Sequence, residues 1–85
     1  MMKNIIQNRL AFLKATKLNI IDESDLHKGH AGNTGGGHFN LIVVSEIFQN
    51  KSTMERHRII YSALEDLIPN DIHALSIKAI APSEI

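Results

Sequence analysis

Five histidines, His27, His30, His38, His57 and His73, and no cysteine set the chemical range of this 85-residue chain. Imidazole ligates zinc, copper, iron and nickel and changes charge near neutral pH. Without cysteine there is no disulfide, no thiolate nucleophile, and no zinc or iron-sulfur site made of the chain's own thiolates. A soft metal centre here must therefore borrow its sulfur. His27 and His30 stand three residues apart in a segment, 23–38, that holds all five glycines. No apolar periodicity explains them, and a loop can deliver a ligand by moving; a solvated polar role is the other reading. His73 shares strand parity with Leu75, Ile77 and Ala79, so it is either a ligand or a buried edge histidine. His38 opens a strand and reads as a strand-end anchor or a ligand. His57 falls among Met54, Ile60, Tyr61 and Leu64 on a helical wheel, which makes it a hydrogen-bonded core histidine.

Other chemistries fall away. Gly35-Gly36-Gly37 has neither the lysine nor the Ser/Thr of a phosphate loop, and no helix start follows it. Ser24 lies near acids and histidine but not on a nucleophile elbow, so a hydrolase is not indicated and no catalytic residue is assigned. Nine basic residues against nine acidic give zero formal charge, which lends no global support to phosphate neutralisation. The cations that could still contact nucleic acid are Lys51, Arg56 and Arg58. Glu55, Glu65 and Asp66 on the same helix favour a solvated charged face instead.

These residues must be positioned by few elements. At 85 residues the expectation is a single domain, 1–85, and its 44% apolar and 21% charged content suits a globular core rather than disorder. Met1 to Leu13 is interrupted by polar residues and offers no signal-peptide apolar region, so a cytoplasmic location without membrane contact is expected. Met2 to Ala15 places Met2, Ile5, Ile6, Leu10, Phe12 and Leu13 on one helical arc, with Arg9 inside it, snorkelling off the core edge or lying against a partner. Lys17 to Asp22 reads as a strand, and Phe39 to Ser45 as a second, antiparallel to it. Ser52-Thr53-Met54-Glu55 is a capping box that starts a helix with a core arc of Met54, Ile60, Tyr61, Ala63, Leu64, Leu67 and Ile68, ended by Pro69. Ile72 to Ile80 alternates as a third strand. The intervening helix is a crossover, which makes strands two and three parallel and the order αββαβ.

Taken together, these residues resemble the BolA family over nearly the whole chain. The resemblance rests on Asp22-Glu23-Ser24, the histidine-bearing loop ending in His38-Phe39, Val43-Val44-Ser45 with Phe48, Arg56-His57-Arg58 with Tyr61, Ile72-His73-Ala74-Leu75, and Ala81-Pro82-Ser83-Glu84. It implies a class II KH-like α+β fold with a three-stranded mixed sheet packed against helices. It also implies a monothiol glutaredoxin partner and a bridging 2Fe-2S cluster, with thiolates supplied by the glutaredoxin and by glutathione. The family's C-terminal histidine ligand falls on His73, and its loop ligand on His27, with His30 close enough to compete. Mixed histidine and thiolate ligation raises the potential and makes the histidine side pH-sensitive. The family also carries descriptions as transcriptional regulators, which makes DNA the alternative partner. By itself the chain is expected to be a monomer or a weak homodimer. Two positions depart from the family: Asn50 stands where glycine is common, and Ile85 where an aromatic closes the chain. Asparagine tolerates left-handed backbone comparatively well, so the turn is expected to survive.

Overall fold

The computed structural model describes residues 2–24 and 36–85. Its elements are helix α1 (Met2–Arg9), strand β1 (Lys17–Asp22), strand β2 (Gly37–Val44), helix α2 (Thr53–Leu64) and strand β3 (Ile72–Ile80), with single 3-10 turns at Ala11–Leu13, Glu46–Phe48, Glu65–Leu67 and Pro82–Glu84. The sheet order is β1-β2-β3. β1 pairs antiparallel with β2 and β2 pairs parallel with β3, as the alternation and the crossover helix require. Ile6, Leu10 and Leu13 of the N-terminal helical segment, Phe39, Leu41 and Val43 of β2, and Ile60 and Leu64 of α2 meet in one core with Phe48, Ile72 and Ala81. The other sheet face carries exposed Lys17, Asn19 and Ile21 and half-buried Asn40 and Ile42. This is the two-layer arrangement in which each amphipathic element buries one face.

The first helix is shorter than its apolar arc suggests. α-Helix stops at Arg9, a 3-10 turn follows, and Lys14 closes it in the left-handed region at φ 47°. The chain must reverse at once to begin β1. Ser45 holds that reversal, its buried hydroxyl donating to the Leu13 carbonyl at 2.6 Å and satisfying a helix-end acceptor. Ile5 and Phe12, counted in the arc, are exposed. Arg9 finds its partner inside the molecule. Its guanidinium grips both Asp66 oxygens, at 2.5 and 2.7 Å, and donates to the Ala63 carbonyl, tying the N-terminal helix to the end of α2. The capping box forms as expected, with Glu55 N-H donating to Ser52 Oγ and Ser52 N-H to the Glu55 carboxylate. Asn50 adopts φ 63°, the left-handed turn predicted for it.

Helix α2 is turned by about one residue from its expected face. Arg56, Ile60 and Leu64 are buried, whereas Met54 and Tyr61 are exposed and His57 is only half-buried. His57 is therefore not the core residue; Arg56 is, at 8% exposure. The reason is long-range. The Arg56 guanidinium donates to the Lys51 and Ala79 carbonyls, each at 3.0 Å, and to both Glu84 oxygens at 2.7 and 2.8 Å. With four of its five N-H donors engaged, an arginine can occupy an inward position that a local pattern assigns to solvent.

Candidate metal site at the sheet edge

The start of β3 is irregular, and that irregularity decides where His73 goes. Gly37 pairs with Ile72 but His38 pairs with Ala74, so one extra residue is accommodated in β3, and that residue is His73. Such a bulge breaks the alternation and re-aims a side chain. Ile72 is fully buried while Leu75 and Ile77 still pack on the core, although strict alternation would put them on opposite faces. His73 is thereby released to solvent. The alternative reading of His73 as a buried edge histidine is corrected by this one-residue slip.

Both described ends of the segment carrying His27 and His30 lie against this bulge. At one end, Ser24 N-H donates to Asp22 Oδ1 at 2.9 Å, an Asx turn, and the hydrogen bonds from Ser24 hold the Asp22 carboxyl below its ordinary pKa. Ser24 Oγ then accepts from the His38 backbone N-H at 3.0 Å, and Glu23 N-H donates to the His38 carbonyl at 2.8 Å. The Asn40 amide donates to the Glu23 carboxylate. Asp22-Glu23-Ser24 is thus a clamp that fixes where the chain leaves the sheet after β1. At the other end, Gly37 N-H donates to the Asp71 carbonyl, and a Cβ placed on Gly36 would stand 2.8 Å from the His73 Cβ and 2.9 Å from the Asn70 carbonyl oxygen. The residue types at 24 and 36 are therefore bound up with the position of His73.

His27 and His30 themselves lie outside the described residues. Among the described ones, no group of three or more histidines or carboxylates is gathered to hold a metal. What the fold does bring together is His38 and His73, with ring centroids 5.2 Å apart and planes inclined at 46°. The sequence carried a signal for this pair: each histidine begins a strand, and strands expected to run parallel align their starts. The candidate nucleic-acid set fares differently. Arg56 is spent internally, so its assignment as a phosphate contact is corrected, while Arg58 is exposed and Lys51 half-buried. No helix among the described residues is long and apolar enough to cross a membrane.

Comparison with known proteins places the chain in one family. Residues 10–84 match the family model described as BolA-like protein. The chain is 44% identical to SufE-like protein 1, chloroplastic/mitochondrial, of Arabidopsis thaliana, over 86% of this chain and 21% of that protein. It is 40% identical to Protein BOLA1, chloroplastic, of the same plant, over 85% of this chain and 48% of that one. It is 34% identical to the DNA-binding transcriptional regulator BolA of Vibrio cholerae, over 99% of this chain and 78% of that one. Among solved structures, the BolA domain of SufE1 from Arabidopsis thaliana superposes with a TM-score of 0.82 at 43% identity, covering 96% of this chain and 93% of that one. The chain belongs to the BolA-like family, and its α+β fold with a three-stranded mixed sheet is the fold of BolA domains. It spans about a fifth of the first of these relatives and about half of the second.

Proposed function

We propose that this chain is a non-enzymatic adaptor, cytoplasmic as its sequence suggests, that holds a bridging 2Fe-2S cluster with a monothiol glutaredoxin and serves cluster trafficking or iron and redox regulation. One observation carries the reading: a bulge puts the His73 imidazole into solvent beside both anchors of the segment bearing His27 and His30. The donor set fits the cofactor. An exposed His73 imidazole, with no thiolate anywhere in the chain, suits a cluster whose remaining sulfur ligands come from a partner and from glutathione. His73 and His27, or His30 in its place, would be the protein ligands here, and the cluster would supply electron storage at a potential set by its neutral ligands.

Reconstitution with a monothiol glutaredoxin, glutathione, iron and sulfide tests this. Visible absorption and circular dichroism of the mixed complex are expected to change in His73→Ala and in one of His27→Ala or His30→Ala. An unchanged cluster spectrum in all three variants would sink the assignment. Because His73 is exposed, its replacement is expected to alter stability by no more than about 0.5 kcal/mol, so loss of the spectrum reports ligation rather than unfolding.

A second reading is supported by two relatives named DNA-binding transcriptional regulator BolA, from Vibrio cholerae and Escherichia coli. With Arg56 committed internally, the cations left to it on this surface are Arg58 and Lys51. It predicts duplex DNA binding that weakens steeply between about 50 and 200 mM salt and falls in Arg58→Ala. Fluorescence anisotropy at two salt concentrations measures it, and no binding at low salt removes it.

A further inference from the structure

We infer that His38 and His73 form a two-imidazole site for a single divalent first-row cation of the zinc or nickel type, one that shares His73 with the ligand pair assigned to the cluster and replaces its second histidine by His38. The geometry is on the pair itself. A tetrahedral ion bound to two imidazole nitrogens at roughly 2.0–2.1 Å holds the ring centroids about 5 Å apart. His38 and His73 stand at 5.2 Å with rings inclined at 46°, the centroid separation that such a shared ion requires. Both backbones are already fixed. The His38 amide and carbonyl are held by Ser24 and Glu23, and His73 is locked in the bulge by the approach of Gly36, so little ordering entropy is lost on binding. One imidazole is half-buried and the other exposed, which gives an ion an anchored side and an open side where water completes the coordination.

Imidazole without thiolate selects zinc, copper, nickel or cobalt over magnesium or calcium. Two protein ligands alone give modest affinity, so the site is an exchangeable one. An ion held there occupies His73. On the cluster reading above, from which this consequence follows, such an ion competes with cluster loading through the shared imidazole.

Calorimetric titration of the metal-free full chain with zinc chloride, without glutaredoxin or iron, tests the site independently of the cluster. One equivalent is expected to bind, with affinity reduced at least tenfold in His38→Ala and equally in His73→Ala, and unchanged in His57→Ala. Ring-proton NMR of the wild type should show the His38 and His73 imidazoles shifting together on zinc addition. An ordinary tilted contact between two rings spans the same distance and predicts no uptake. Wild-type affinity in a folded His38→Ala variant, or unshifted His38 ring signals at saturating zinc, would overturn the inference whatever the cluster experiment gives.

Discussion

Replacing Arg56 by alanine is expected to lower the melting temperature by roughly 10 °C or more, the largest stability effect of any charged residue in the described fold. Four hydrogen bonds from one side chain join the loop before α2, the end of β3 and the closing turn, through Lys51, Ala79 and Glu84. Removing the guanidinium takes its bonds from the Lys51 and Ala79 carbonyls and leaves the Glu84 carboxylate with only the Ala81 N-H, and it empties the space that its stem fills in the helix-sheet interface. Arg56→Lys keeps the charge but not the planar fork, so it should recover only part of the loss. The same pair predicts an acid dependence. Glu84 is pulled from its ordinary 4.5 to about 2, first by the hydrogen bonds from Arg56 and next by the Ala81 backbone N-H. Its folded pKa lies below its unfolded one, so the unfolded chain binds more protons between those values. The stabilisation is present in full above about pH 4.5 and is lost as pH falls toward about 2. Asp22, Glu55 and Asp66 are also lowered by hydrogen bonds and lose stabilisation in the same direction. Glu84→Gln should therefore flatten part of the acid-side slope in denaturant midpoints measured across this window. A slope equal to that of the wild type would show that the ion pair does not couple to folding.

Arg56 also shows what the sequence could not reveal and why. The strands β1 and β3 match their predicted bounds, because alternation and β-branching are local signals, and the capping box and the Asn50 turn are legible from a few adjacent residues. The face of α2 was misjudged because the partners that allow an arginine inside lie 23 and 28 residues downstream, and hydrophobic periodicity scores arginine as outward. His57 took the core position by default. The candidate site was legible in part. His73 was singled out for its residue type, but its exposure depends on a one-residue register slip against β2, which no pattern within β3 encodes. The neighbourhood of His38 was not legible from β2 alone, because its ring meets His73 only through the parallel pairing of the two strand starts.

That register slip supplies a second large effect, on function rather than on the core. Gly36 is buried, and a methyl group there would meet the His73 Cβ, the Asn70 carbonyl oxygen and, at 3.3 Å, the His73 amide nitrogen. Backbone atoms provide two of those three contacts, so the neighbours cannot swing aside as a flexible side chain would. Gly36→Ala should push the first residues of β3 away from β2, at a cost of about 1–3 kcal/mol. The displacement is concentrated at His73, because Ile72 is anchored in the core and the ladder from Ala74 onward is regular. Zinc uptake by the His38 and His73 pair and cluster assembly with a glutaredoxin should both fall by tenfold or more, while amide chemical shifts of Leu41, Val43, Ile60 and Leu64 remain near their wild-type values. A site held to within about 0.5 Å by its supporting shell is sensitive to a displacement of this size. If Gly36→Ala binds zinc and assembles a cluster as the wild type does, then the bulge does not set the imidazole position, and exposure of His73 alone accounts for whatever it ligates.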